Sequence, residues 1–206
     1  MKAIVVVDIQ NDFLPGGSLA VPEGDCIIER VNMLIGHSGL VVATQDWHPA
    51  DHGSFAVRHD GKKPGDIIDL HGVSQILWPV HCVQHTYGAE FSAKLFSERF
   101  DAVFRKGMDP GVDSYSSFFD NDHKTSTGMG EFLRNKGVNN IYVCGLATDY
   151  CVKYTCLDAV SLGFRTWVIT DVTMGVNVTP GDAEKAYREM TDAGVRLIES
   201  RSVYPE

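Results

Sequence analysis

The chain has 206 residues, of which 44% are apolar and 22% are charged, and its formal net charge is −9. The apolar content excludes a disordered chain and predicts one folded domain over residues 1–206, with a core that buries roughly 70% of the unfolded surface. The acidic excess would repel a phosphate backbone, so nucleic acid is not an expected partner. No run of about 18 apolar residues occurs, so no membrane span is expected.

The cysteine content and the start of the chain bear on the cellular compartment. The first apolar segment does not resemble a secretory signal, because Asp8 interrupts it and no small-residue cleavage site follows. The five cysteines are odd in number and form no CxxC pair. Such usage is typical of reduced thiols and not of a disulfide framework. We therefore expect a cytoplasmic protein.

Short β-branched segments alternate with amphipathic helical segments along the chain. Near-continuous apolar runs are typical of strands buried on both faces, as in a parallel sheet covered by helices. The predicted strands are residues 2–8, 40–46, 101–105, 140–145, 165–171 and 195–199. The predicted helices are residues 25–35, 128–135 and 149–162, followed by one that opens at Thr179 and Pro180. This order predicts an α/β protein with a three-layer α/β/α architecture around a mostly parallel six-stranded sheet.

Residues 47–100 break this alternation, because they have little periodicity and many glycine, proline and histidine residues. A loop-rich insertion of this length inside a compact domain is usually functional. Six of the eight histidines fall within it, at positions 48, 52, 59, 71, 81 and 85. The segment is therefore a candidate metal-binding insertion.

Three reactive side chains follow predicted strands, at the edge where parallel sheets bind ligands. Asp8 ends the first strand, Lys106 ends the third, and Cys151 follows the fourth at a predicted helix start. A helix N-terminus and a nearby ammonium both favour a thiolate, and a carboxylate there can accept the thiol proton. The pattern indicates a cysteine nucleophile served by Asp8 and Lys106. Each residue alone also fits a plain structural role: a buried thiol, a capping carboxylate or a surface lysine.

A possible metal site follows the second predicted strand. Asp46 and His48 are two residues apart, so in an extended chain their side chains point to the same side. His52 and His81 lie further along and could reach the same ion. A mixed nitrogen and oxygen set suits zinc, iron or manganese. The alternative is that these histidines are exposed or only hydrogen-bonded.

Five segments, in order over almost the full chain, carry a joint pattern. They are residues 4–19, 44–55, 78–84, 106–118 and 145–152. The first holds the sequence Asp-Ile-Gln-Asn-Asp-Phe, the second Asp-Trp-His-Pro, and the last Gly-Leu-Ala-Thr-Asp-Tyr-Cys-Val. Together they resemble the nicotinamidase branch of the isochorismatase-like hydrolases, whose members are also called pyrazinamidases.

The resemblance implies a catalytic triad of Asp8, Lys106 and Cys151. It also implies an oxyanion hole formed by the backbone amides of Ala147 and Cys151. A cis peptide bond is implied between Leu146 and Ala147.

The resemblance further implies that one divalent metal ion is bound by Asp46, His48 and His81. Zinc is the first expectation, and iron or manganese are the alternatives. His52 stands where some members use a fourth ligand and others leave water. Aromatic residues around a planar ring are implied at Phe13, Trp78 and Tyr115.

The activity implied by the resemblance is hydrolysis of nicotinamide to nicotinate and ammonia in NAD salvage, with pyrazinamide as a second substrate. A related cysteine hydrolase that acts on another amide or a carbamoyl compound is the alternative, and so is a binding protein without turnover. An isochorismatase would not need Cys151, so the thiol argues against that activity. The sequence leaves homo-oligomer formation open.

Overall fold

Six of the strands form one parallel sheet in the computed structural model, which describes residues 1–203. The strands of this sheet are Lys2–Val7 (β1), Val41–Asp46 (β2), Ala102–Lys106 (β5), Asn140–Leu146 (β6), Arg165–Met174 (β7) and Arg196–Ile198 (β8). The spatial order is β5-β2-β1-β6-β7-β8, and every neighbouring pair runs parallel. The prediction of a six-stranded sheet is therefore confirmed, and the sheet is wholly parallel.

Helices cover both faces of the sheet, because alternate residues of the buried strands point to opposite sides. The helices within residues 1–203 are Ile28–Gly36 (α1), Met129–Asn135 (α2), Lys153–Ser161 (α3) and Asp182–Asp192 (α4). Ile4 and Val6 of β1 pack with α1, whereas Val5 and Val7 pack with α2, α3 and α4. The three-layer prediction is confirmed. Each of these helices is too short or too polar to span a bilayer.

The predicted start of the last helix is wrong. Thr179 and Pro180 do not open the last helix, which begins at Asp182 after Gly181 in a left-handed conformation. The Asp182 carboxylate instead accepts the backbone N–H of Thr179, so the two residues form a turn that precedes the helix. The third predicted helix begins with a π-helical turn at Thr148–Val152 before α3 follows.

The insertion at residues 47–100 contains regular structure that its composition did not predict. A two-stranded antiparallel hairpin joins Ile67–Leu70 (β3) to Val73–Ile76 (β4), and it lies apart from the main sheet. The strands are four residues long and half exposed, with Ile67 at 63% exposure, so they lack the apolar run that marked the other strands. The remainder of the insertion consists of turns and short 3₁₀ helices.

Candidate active site

The carboxyl ends of three strands of the parallel sheet bring three reactive side chains together. Asp8 follows β1, Lys106 ends β5 and Cys151 follows β6, and all three are buried. The Nζ of Lys106 lies 2.9 Å from Oδ2 of Asp8 and 3.4 Å from Sγ of Cys151. It also donates a 2.9 Å hydrogen bond to the carbonyl of Ser114 and contacts Oδ1 of Asp46. One ammonium thus touches a thiol and two carboxylates.

The backbone around the thiol and the carboxylate is unusual. Asp8 has a φ of 47°, which turns its side chain out of the β1 ladder. Gly145 has a φ of 113°, and a Cβ there would collide with the backbone of Val7, so only glycine lets β6 approach β1 this closely. The peptide bond between Leu146 and Ala147 is cis, as the sequence resemblance implied. Cys151 then lies on the π-helical turn, where it is 7% exposed.

Burial dominates the protonation of the thiol and the carboxylate. It raises the pKa of Cys151 well above the usual value, although the Lys106 ammonium acts in the opposite direction. This is opposite to the shift expected from a helix N-terminus and a nearby ammonium, because the loss of water around the anion outweighs both. Burial also raises the pKa of Asp8. The resting site therefore holds a neutral thiol beside a carboxylate with increased proton affinity.

Lys106 stays charged despite its burial. Burial favours the neutral amine, but the carboxylates of Asp46 and Asp8 raise the pKa of the lysine well above its usual value. Without this ammonium, two buried carboxylates would face each other in a medium of low dielectric constant. Lys106 is therefore the group that allows Asp8 and Asp46 to lie side by side.

Asp46, His48 and His81 form a compact set of metal-ligand atoms. Oδ2 of Asp46 lies 3.7 Å from Nε2 of His48 and 3.8 Å from Nε2 of His81. The two histidines are adjacent because the segments that carry them pair in parallel, with His48 N–H donating to the carbonyl of Cys82 at 3.0 Å. The ligand atoms of the three residues lie within 4.8 Å of one another.

A hydrogen bond at Nδ1 fixes the tautomer of each imidazole in its neutral form. Nδ1 of His48 donates to the carbonyl of Gly107 at 2.8 Å, and Nδ1 of His81 donates to that of Pro79 at 2.8 Å. Each Nε2 is then left as a lone-pair donor, the arrangement typical of metal-bound histidine. A Cβ on Gly107, whose φ is 64°, would collide with the ring of His48.

The donor set fits a divalent metal ion. Nε2 of His48 is buried and has no hydrogen-bond partner among residues 1–203, which is costly unless a ligand satisfies it. Burial lowers the pKa of His81 to about 4, so this imidazole is neutral near pH 7 as metal binding requires. Burial also disfavours the charged form of His48, but the Asp46 carboxylate outweighs it and raises the pKa of His48, so a metal ion would displace a proton there. Two imidazole nitrogens and one carboxylate oxygen suit zinc and also iron or manganese.

His52 is oriented differently from the other two histidines. Its Nδ1 accepts the backbone N–H of Ser54 at 3.2 Å and lies 2.7 Å from the Ser54 hydroxyl. A neutral ring that accepts at Nδ1 carries its hydrogen on Nε2. His52 also groups with His48 and Asp113 and not with Asp46 and His81. Of the six histidines in the insertion, three others (His59, His71 and His85) are outside these groups.

A cavity with aromatic sides adjoins the triad and the metal-ligand atoms. Phe13, Trp78 and Tyr115, which the resemblance proposed for this purpose, all line it. Asp46 and His81 also line it, as do Ala147 and Cys151. The cavity therefore borders the thiol, both residues of the expected oxyanion hole and two of the metal-ligand side chains.

Several side chains at this site were not identified from the sequence. Tyr150 and Asp113 line the cavity, and Tyr150 lies edge-on to Trp78 at 4.9 Å between ring centroids. Both residues fall inside segments that carried the resemblance, which was the available signal. Gln75, in the unpredicted hairpin, donates to the Tyr115 hydroxyl at 3.0 Å. Because β4 has no distinctive pattern, nothing in the sequence marked Gln75.

The isochorismatase domain model matches residues 2–202 of the chain. The chain belongs to the isochorismatase-domain family. Within this family, the nicotinamidase of Escherichia coli is 48% identical over 200 residues, which cover 95% of this chain and 93% of that protein.

Solved structures of the isochorismatase-domain family share the fold closely. A nicotinamidase/pyrazinamidase of Acinetobacter baumanii superposes with a TM-score of 0.95 at 46% identity, covering 98% of this chain and 97% of that one. A pyrazinamidase of Pyrococcus horikoshii, solved in complex with zinc, superposes with a TM-score of 0.79 at 39% identity, covering 96% and 98%.

Proposed function

We propose that this protein hydrolyses nicotinamide to nicotinate and ammonia through a cysteine thioester. The main support is the contact of one buried ammonium, Lys106, with both the Cys151 thiol and the Asp8 carboxylate beside an aromatic cavity. The high identity to the Escherichia coli nicotinamidase over nearly the whole chain supports the substrate. The reaction recovers the pyridine ring of nicotinamide as nicotinate. We therefore assign it to NAD salvage.

The first half of the reaction forms the thioester. Asp8 takes the proton of Cys151, and Sγ attacks the carboxamide carbon, whose oxygen becomes an oxyanion. The backbone amides of Ala147 and Cys151 donate to that oxygen, and each such donor contributes roughly 3 kcal/mol in comparable acyl-transfer sites. Asp8 then gives the proton to the leaving nitrogen, the C–N bond breaks, and ammonia departs.

The second half regenerates the thiol. Asp8 accepts a proton from a water molecule, whose oxygen attacks the thioester carbonyl and forms a second oxyanion. The C–S bond breaks, and the proton on Asp8 returns to Sγ of Cys151. The product acid then releases its remaining proton, which came from the same water, to solvent and leaves as nicotinate. The raised pKa of Asp8 suits both directions of this transfer, because the carboxylate binds and releases the same proton. Lys106 stabilises the thiolate each time it forms.

Asp46, His48 and His81 are the residues that would hold a divalent metal ion, with zinc as the first choice and iron or manganese as alternatives. When bound, such an ion supplies a Lewis acid that orients the ring nitrogen of the substrate. The zinc complex of the Pyrococcus horikoshii relative supports this choice. We treat His52 as a support of this set and not as a ligand. Its Nε2 is also buried without a hydrogen-bond partner among residues 1–203, but its Nδ1 accepts from Ser54, which leaves the hydrogen of the neutral ring on Nε2.

The aromatic lining of the cavity favours a flat ring. Phe13, Trp78 and Tyr115 contribute this surface, and burial raises the pKa of Tyr115 well above its usual value, so the phenol stays neutral. Pyrazinamide has the same carboxamide on a similar ring and is therefore proposed as a second substrate. A single catalytic domain in the cytoplasm is consistent with the five unpaired cysteines.

The deciding experiment measures ammonia release from nicotinamide by purified zinc-loaded protein, with Cys151→Ala as the nucleophile variant and Cys156→Ala as the matched cysteine control. Turnover that is lost in Cys151→Ala and kept in Cys156→Ala would support the proposal. No turnover with a full complement of metal would reject nicotinamide as substrate. Release from another amide or a carbamoyl compound, still dependent on Cys151, would then identify a different cysteine hydrolase.

A further inference from the structure

The ladder between the first two strands stops before it reaches the metal-ligand residue. In β1 and β2, the last paired residues are Val6 and Ala43. Beyond them Asp8 turns into the left-handed region, so the backbone after β1 no longer runs beside β2. The Asp46 backbone at the end of β2 therefore lacks a strand partner on this side.

The side chain of Gln10 replaces that partner. Its Nε2 donates to the carbonyl of Asp46 at 2.8 Å, and its Oε1 accepts the backbone N–H of Asp46 at 2.9 Å. These two bonds pair an amide with a peptide unit as a neighbouring strand would. The second hydrogen of Nε2 goes to the carbonyl of Ala89 at 2.8 Å, and Gln10 is fully buried.

We propose that Gln10 is a positioning residue that sets the orientation of Asp46 for metal binding. The inference rests on the metal site of the proposed function. With both backbone groups of Asp46 held, its carboxylate directs Oδ1 toward Lys106 and Oδ2 toward the two Nε2 atoms. The backbone N–H of Gln10 also donates to the carbonyl of Asp8 at 2.8 Å. One residue thus links the general base to the metal-ligand carboxylate.

The test uses zinc binding, with Gln10→Met as the main variant. Methionine has a similar volume but removes all three hydrogen bonds of the amide. Gln45→Met is the matched control, because Gln45 is also buried and donates to the same carbonyl of Ala89 at 3.1 Å without bonding the Asp46 backbone. We expect zinc affinity, measured by competition with a chromophoric chelator, to fall about 10- to 100-fold in Gln10→Met and less than about threefold in Gln45→Met.

A second readout separates positioning from a general loss of stability. Because the defect lies in zinc binding, added zinc should restore most of the nicotinamide turnover of Gln10→Met, with KM for zinc-saturated protein close to wild type. If Gln10→Met does not fold, Gln10→Glu replaces it, since a carboxylate keeps one acceptor but cannot donate to the carbonyls of Asp46 and Ala89.

Equal zinc affinity in the Gln10 and Gln45 variants would overturn the inference, and so would a wild-type protein that binds no zinc. Failure of the proposed function is a separate result. Wild-type protein that binds zinc but releases no ammonia from nicotinamide would reject that function, while the difference in zinc affinity between the two variants would still test Gln10.

Discussion

The hydroxyl of Thr44 donates a 2.7 Å hydrogen bond to Oδ1 of Asp8, and both side chains are fully buried. This bond occupies one oxygen of the carboxylate. The other oxygen, Oδ2, is then the one that lies against Lys106 at 2.9 Å. Thr44 thus fixes which oxygen of Asp8 is presented to the ammonium.

Replacing Thr44 by valine should lower kcat for nicotinamide about 10- to 100-fold with little change in KM, because a hydrogen bond to a charged group contributes about 1.5–3 kcal/mol and Thr44 does not line the cavity. Steady-state kinetics test this. Thr44→Ser keeps the hydroxyl and should keep most of the activity. Equal kcat in the valine and serine variants would exclude a positioning role for Thr44.

The raised pKa of Cys151 predicts how its alkylation depends on pH. A thiol whose pKa lies well above the usual value is mostly protonated near pH 7, and its thiolate fraction grows about tenfold per pH unit. In a Cys26→Ser variant, which lacks the exposed cysteine, the rate of Cys151 modification by iodoacetamide should therefore still rise beyond about pH 8.5. The rate is measured by mass spectrometry of the peptide that contains Cys151.

Other cysteines provide the internal comparison. Cys144 is buried in β6, and burial raises its pKa to about 12, so it should stay unmodified while the protein is folded. A rate for Cys151 that levels off near the ordinary thiol pKa of about 8.5 would contradict the pKa shift. Modification of Cys144 at the same rate would instead indicate unfolding.

The histidine tautomers predict unequal losses of zinc affinity. His81→Ala removes a ligand nitrogen and should weaken zinc binding by more than about 100-fold, whereas His52→Ala removes only a neighbouring contact and should cost about tenfold or less. His59→Ala, within the same insertion but outside the candidate metal groups, serves as the control. Chelator competition measures all three. An effect of His52→Ala as large as that of His81→Ala would make His52 a fourth ligand.

The strands were predictable because each central one is a nearly continuous apolar run, such as the buried stretch of β1. The grouping of Asp8, Lys106 and Cys151 followed from one physical rule: parallel strands end at a common edge. Strand β7 was predicted to end at Asp171 but continues to Met174. Its pairing with β6 shifts register between Val143 and Gly145. Asp171 and Thr173 interrupt the apolar run near the end of β7, so the sequence does not indicate that the strand continues.

Other features could not be read from local patterns. The pKa direction of Cys151 depends on how completely the folded chain removes water from Sγ, which spacing along the sequence does not reveal. The amide of Gln10 pairs with a residue 36 positions away. Its role appears only when the end of β2 is seen beside the turn after β1. Such contacts depend on tertiary structure and leave no periodic signal.

The carboxylate of Asp149 connects the nucleophile turn, which is the π-helical turn Thr148–Val152 that carries Cys151, to the segment that follows β7. Its two oxygens accept the backbone N–H groups of Val176 at 2.9 Å and Asn177 at 2.7 Å. Val176 lines the cavity, and Asn177 has a φ of 50°, so this segment is held in a particular turn. Asp149 therefore fixes one side of the substrate cavity relative to Cys151.

Asp149→Asn should raise KM for nicotinamide about tenfold and change kcat by less than about threefold, because an amide nitrogen would face one of the two N–H donors and release the segment at Val176. Asp158→Asn is the matched control, since Asp158 lies on α3 and bonds His123 at 3.0 Å away from the cavity. Steady-state kinetics, with nicotinate inhibition as a second measure of binding, test the prediction. A fall in kcat with unchanged KM would mean that Asp149 positions the nucleophile turn and not the cavity.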